Sequence, residues 1–196
     1  MICLDQSPAR ICPTSGSAES VQEHIFHIIN GLLRTINYMH DNALTHNDLH
    51  GRNIMLHFED SRVYVGLIDW GKATLQPTEE HFPALGNDTD ATKEEAQKIF
   101  RYVAPECLSS LPPPYSTTQE IYSLCWIIRR LLDVRKKIDD RHLEKFVSKM
   151  YEHLRPGLSI RPQERPGAWD LTGMLDGLVT FGVELDFDAG LRPMLD

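Results

Sequence analysis

Apolar residues recur along the chain at spacings that switch from helical to extended and back. Val21, Ile25, Ile28, Ile29, Leu32, Leu33, Ile36 and Met39 lie three or four positions apart, so they share one stripe of an amphipathic helix. Ser20, with Glu23 three residues on, predicts a capping box at its start, and His40-Asp41-Asn42 marks its end. The period then drops to two. Ile54, Leu56 and Phe58 alternate, as do Val63, Val65 and Leu67, and Glu59-Asp60-Ser61 stands where a turn belongs, which predicts a β-hairpin. The helical period returns at Ile121, Leu124, Cys125, Ile127, Ile128, Leu131 and Leu132. It appears again at Leu143, Phe146, Val147, Met150 and Leu154 before the Pro156-Gly157 stop, and last over Ala168 to Leu178. Thr92 with Glu95 predicts a short helix through Ile99 and Phe100. The chain therefore reads as mainly α with a small β-hairpin. Residues 1–19 read as an irregular lead-in, 20–180 as the folded domain and 181–196 as a loosely held tail. Leu111-Pro112-Pro113-Pro114-Tyr115 reads as a rigid, extended connector between helices.

Composition narrows the classes. The 196 residues suffice for one domain with a real core. Apolar content of 41 % and a mean hydropathy of −0.32 fit a soluble globular protein. No apolar run approaches the roughly 18 residues of a membrane span, and no basic stretch precedes an apolar one at the start. A net charge of −8 argues against nucleic-acid or anionic-membrane binding through a broad basic patch. Cys3, Cys12, Cys107 and Cys125 form no C-x-x-C pair, which argues against a zinc site or a disulfide framework and for a reducing compartment, cytoplasmic or nuclear. His24, His27 and His40 read as solvated or capping positions rather than as a metal site.

The hairpin brings candidate chemistry together. Asp48 precedes Asn53 by five positions, Asp69 follows Asn53 by sixteen, and Gly71 follows Asp69 by two. Asn53 and Asp69 flank the two ends of the hairpin, so a paired hairpin places them side by side, with Asp48 one short loop away. An amide oxygen and a carboxylate suit Mg²⁺, which keeps phosphates in its shell. Asp48 is placed to accept a proton from a hydroxyl nucleophile. The constellation suits phosphoryl transfer, where catalysis is mostly positioning and charge neutralisation.

Three motifs carry a family resemblance. His46-Asn47-Asp48-Leu49-His50-Gly51-Arg52-Asn53 resembles the protein-kinase catalytic loop H-R-D-L-x-x-x-N, Asp69-Trp70-Gly71 resembles D-F-G, and Ala104-Pro105-Glu106 matches A-P-E. The resemblance runs from about Val21 to about Leu178. It implies a eukaryotic-type protein kinase of Ser/Thr type, with ATP and Mg²⁺ as cofactors and a protein substrate or partner. It assigns Asp48 as base, Asn53 and Asp69 as metal ligands, and Met55 as part of the floor under the adenine. His50 takes the place of a Lys that contacts the transferring phosphate. His46, Trp70, Gly71, Glu106, Glu120 and Arg165 take structural places, with Glu106 paired to Arg165 and Glu120 bracing the catalytic loop. Lys72 to Val103 has the place and length of an activation segment, and its acidity hints at a basic substrate.

Departures from the pattern qualify the resemblance. Asn47 replaces the Arg that pairs with a phosphorylated activation segment, so the loop is of the non-RD kind. Trp70 replaces Phe, Cys125 replaces a Gly of the central helix, and Glu120 replaces an Asp, one methylene shorter, which predicts a displaced brace. No Gly-rich loop and no V-A-I-K-like strand precede His46. The resemblance therefore covers the large C-terminal lobe only, without the N-terminal β-lobe, and predicts weak or absent ATP binding by these residues alone. Three functions stay open: a protein kinase, a non-catalytic pseudokinase-like interaction module, and a small-molecule phosphotransferase of the aminoglycoside- or choline-kinase kind, which also carry H-x-D-L-H.

Overall fold

A computed structural model describes residues 2–4, 18–59, 62–75, 98–108, 116–135 and 141–179. Most of the activation segment, the Pro112–Pro114 connector, the turn at Asp60-Ser61, Cys12 and residues 180–196 lie outside the described residues, as do Thr92 and Glu95.

The long amphipathic stripe forms helix α1, Ala18–Asp41. Its inner positions Ile25, Ile28, Ile29, Leu32, Leu33, Ile36 and Met39 are buried and form the centre of the core. The helix begins two residues before Ser20, so Ser20 is not its N-cap. Ala18 and Glu19 are strong helix formers and extend the helix past that residue.

The hairpin forms with the expected alternation. Strand β3, Ile54–Glu59, pairs antiparallel with β4, Arg62–Leu67, in the register Ile54 with Leu67 and Leu56 with Val65. Ile54 and Leu56 face the core. The lead-in adds a third strand: β1, Ile2–Cys3, pairs antiparallel with the other edge of β3. A two-residue strand shows no period, so the sequence pattern could not reveal it. A second small sheet joins β2, Leu44–Thr45, to β5, Thr74–Leu75, on either side of the catalytic-loop stretch.

The hairpin sits close on α1. A Cβ placed on Gly31 would meet Val65 Cγ2 at 2.7 Å. Only glycine lets helix and strand approach this far.

Helices α2, Thr117–Arg135, α3, Arg141–Leu154, and α4, Ala168–Val179, complete the core. Ile121, Leu124, Cys125, Ile128 and Leu132 of α2 are buried beside Phe146, Val147, Met150 and Leu154 of α3. The chain leaves α3 through a short 3₁₀ turn, Pro156–Leu158. A Cβ on Gly157 would overlap the Cys125 sulfur. The side chain that Cys125 adds to the central helix is thus accommodated by the lack of one at Gly157. Asn37 of α1 donates to Thr172 Oγ1 of α4 at 2.6 Å within the core. Among the described residues, no helix is long and apolar enough to cross a membrane.

Candidate active site

The catalytic-loop stretch runs between α1 and β3 and is anchored from three sides. Its base is Glu120 on α2. The buried Glu120 carboxylate accepts from the backbone N–H of His46 through Oε1, and from that of Asn47 at 2.8 Å. Its other oxygen lies 2.8 Å from His40 Nε2. The expected displacement of the brace is therefore not found. The extra methylene lets one carboxylate span the loop amides and an imidazole from the end of α1. His40 is correspondingly not a solvated position: its side chain is mostly buried against Glu120.

His46 is fully buried. Its Nδ1 accepts from the Asp48 N–H at 3.3 Å, so its Nε2 carries the proton and donates to the Ile68 carbonyl at 2.9 Å. The imidazole thereby joins the loop to the chain entering Asp69. The Trp70 ring lies on it at 4.9 Å, with the indole N–H donating to the Leu67 carbonyl at 3.1 Å. Trp70 remains 42 % exposed.

A 3₁₀ turn, Gly51–Asn53, delivers Asn53 to the start of β3. The buried Asn53 amide donates from Nδ2 to the Asp48 carbonyl at 2.9 Å, and its own carbonyl accepts from the Ile68 N–H at 3.0 Å. The three residues singled out in the sequence are thus linked: Asn53 is bonded to Asp48 directly, and to the residue before Asp69 by its backbone. Asp69 adopts a left-handed conformation, φ 63°, ψ 66°. For a non-glycine residue this costs of order 1–3 kcal/mol and is held only by its surroundings. Gly71 lies against it, a Cβ there meeting Asp69 Oδ1 at 3.4 Å.

Asn53 commits Nδ2 to Asp48, so Oδ1 is the atom with which it could hold a metal. Oδ1 with the Asp69 carboxylate makes two hard oxygen donors. This set fits Mg²⁺, which fills most of its octahedral shell with water and phosphate. Among the described residues, no cluster of three or more His, Cys, Asp or Glu gathers to hold a metal unaided.

Two nitrogen-bearing side chains approach Asp48. Lys72 Nζ lies 2.9 Å from Oδ2, and His50 Nε2 lies 3.9 Å from Oδ1. The His50 ring also caps the Gly51–Asn53 turn, accepting from the Arg52 N–H at 3.2 Å, and lies 5.4 Å from the Tyr102 ring. Asn47, φ 68°, turns its side chain toward the residues after Gly71. Its Nδ2 donates to the Lys72 carbonyl at 2.7 Å and to Thr74 Oγ1 at 2.8 Å. The sequence reading missed Lys72. Its signal was a lysine directly after D-W-G, beside a loop with no lysine of its own. Met55 is half-buried in the middle strand, between Cys3 and Gly66.

The A-P-E stretch is anchored as expected. Arg165 forks onto Glu106, Nη1 to Oε1 at 2.5 Å and Nη2 to Oε2 at 2.7 Å. Its Nε donates to the Ser159 carbonyl at 2.8 Å, and the guanidinium lies 5.0 Å from the Tyr122 ring centre. Burial pushes the neighbouring Cys107 thiol up to about 12, and does the same to Cys125 on α2. Both are therefore protonated, unreactive packing residues at neutral pH.

Comparison with known proteins bears on the family of the chain. A family model described as the protein kinase domain matches residues 13–170. The eukaryotic translation initiation factor 2-alpha kinase 1 of Plasmodium falciparum (isolate 3D7) is 25 % identical over 177 residues, which cover 83 % of this chain and 10 % of that protein. The chain thus spans about a tenth of the length of that relative. With the family match extending over most of its length, the chain belongs to the protein kinase domain family.

Proposed function

We propose that residues 20–180 act as the large lobe of a Ser/Thr protein kinase and supply the base and metal half of a phosphoryl-transfer site. Protein kinases as a family use ATP and Mg²⁺. In this reading Asp48 accepts the hydroxyl proton of a protein substrate, and Asn53 and Asp69 hold Mg²⁺ when it is bound. The ion would neutralise phosphate charge. Met55 would lie under the adenine. One observation carries the reading: the Asn53 side chain is bonded to Asp48 while its backbone is bonded to the residue preceding Asp69. A protein substrate is favoured over a small molecule by the Glu106–Arg165 fork, which anchors the A-P-E stretch to α2 and to the chain just before α4.

No G-x-G-x-x-G run and no V-A-I-K run occurs in the sequence, so the affinity of this chain for Mg·ATP is expected to be weak, in the millimolar range. The test is a titration of the chain with ATP, with and without Mg²⁺, read on the amide signals of Asn53 and Asp69. Mg²⁺-dependent shifts that vanish in Asp69→Ala are expected. No Mg²⁺-dependent shift at millimolar ATP overturns the reading. It would leave a kinase-like interaction module, a second reading favoured by the exposure of Ile68, Trp70 and Leu75 around the site.

A further inference from the structure

The candidate site holds two carboxylates, Asp48 and Asp69, and a transferring phosphoryl group adds charge spread over three oxygens. Such a transition state needs a fixed cation beside the nucleophile. Position 50, inside the loop, carries an imidazole that is half-committed to capping the next turn and lies against Tyr102. A neutral imidazole brings no charge, whereas a lysine ammonium brings a full one. The ammonium that touches Asp48 comes from outside the loop: Lys72, at 2.9 Å.

We propose that Lys72 is the cation of the phosphoryl-transfer step and that Asn47 positions it. This rests on the phosphotransferase reading above. Asn47 holds the backbone of the lysine by its carbonyl, at 2.7 Å, and holds Thr74 two residues on. The amide at position 47 thus ties the start of the following segment to the loop without any phosphate. The Lys72 side chain stays half-exposed at the mouth of the site. An ammonium has three N–H donors. One meets Asp48, and two remain to meet the oxygens of an incoming phosphoryl group, so Lys72 bridges base and phosphate. In the step itself the substrate hydroxyl oxygen bonds to the γ-phosphorus as the bond from that phosphorus to the β-phosphate oxygen breaks. The electron pair leaves with the diphosphate, and the hydroxyl proton passes to Asp48. Lys72 forms and breaks no covalent bond. It lowers the cost of the charge.

The test compares binding of Mg·ADP alone with binding of Mg·ADP plus aluminium fluoride, a mimic of the transferring group, to the chain by calorimetry. In the unsubstituted chain the fluoride should tighten binding. In Lys72→Met that gain should fall about tenfold, the loss of roughly one charge-assisted contact, with Mg·ADP affinity unchanged. Lys72→Arg should keep the gain. Asn47→Ala should lose part of it. His50→Lys added to Lys72→Met should restore it, a rescue that a merely structural role of Lys72 would not give. A full fluoride gain in Lys72→Met overturns the inference while leaving the phosphotransferase reading intact, and so does tighter binding in that variant, which would make Lys72 a block on the base. If the unsubstituted chain binds no Mg·ADP at millimolar concentration, the phosphotransferase reading falls, and this inference with it.

Discussion

Replacing Glu120 by aspartate puts the residue usual in the family at this position, and in this chain it should be destabilising. Glu120 makes three polar contacts at once, two to the loop amides of His46 and Asn47 and one to His40, 80 residues away in sequence. Aspartate shortens the reach by one C–C bond, ~1.5 Å. A contact of 2.8 Å would open to about 4 Å, beyond hydrogen-bonding range. The shorter carboxylate can keep the amides or the imidazole, not both. A hydrogen bond to a charged group contributes about 1.5–3 kcal/mol, and a buried partner left unpaired forfeits at least that. The expected loss is therefore about 2–3 kcal/mol, or a fall in Tm of roughly 4–12 °C for a domain of this size. His40→Leu removes the imidazole that the shorter side chain cannot reach. The double variant His40→Leu/Glu120→Asp should then cost clearly less than the two single changes added together. Urea unfolding of the four proteins measures the coupling, and amide exchange at His46 and Asn47 shows whether the loop has loosened. A cost below ~0.5 kcal/mol for Glu120→Asp, or strict additivity in the cycle, would refute the three-way brace.

Two further predictions concern stability. Arg165→Met leaves the Glu106 carboxylate without its fork, and loss of one partner of a buried pair costs about 3–5 kcal/mol. Adding Glu106→Gln should recover part of this in urea melts, and a cost under ~1 kcal/mol would show that solvent replaces the fork. The second concerns alkaline pH. The Cys125 thiol sits at about 12 in the fold, raised from 9.0 by burial. Below pH 9 both states hold the proton and the stabilisation is fully present. Above it the unfolded chain ionises first, so stability falls as pH rises toward 12, by up to ~4 kcal/mol from this group. Cys125→Ala should flatten the alkaline limb of the stability curve, and an unchanged limb would refute the assignment.

Helix α1 and the hairpin were legible because each rests on a repeating local pattern. The seven inner residues of α1 all point one way, and the register of β3 with β4 follows from alternation across a short turn. The Asp48, Asn53 and Asp69 grouping was legible for the same reason, since the hairpin sets it. The Glu106–Arg165 fork, 59 residues apart, came from motif resemblance alone. What stayed hidden depends on contacts with no period. The β1 pairing involves two residues, Ile2 and Cys3. His40 looked like a helix end open to water because its partner lies on α2. The Lys72 contact depends on the turn of Asn47 and on a flexible side chain, neither of which spacing encodes. Glu120 was read correctly as a brace. Its length was read as a fault because the group that uses the added reach lies far along the chain.

The seating of Val65 on Gly31 has a mechanical consequence. The catalytic loop leaves the end of α1 at Asp41 and rejoins the sheet at Ile54. With only the Val65 side chain between the helix backbone and the hairpin, these two abutments are parts of one frame, and the loop is a short bridge fixed at both ends. Its midspan rests on Glu120 as a pier. Little travel is left at Asp48 or Asn53, so movement around them falls to parts cantilevered from the frame, chief among them the four-carbon arm of Lys72.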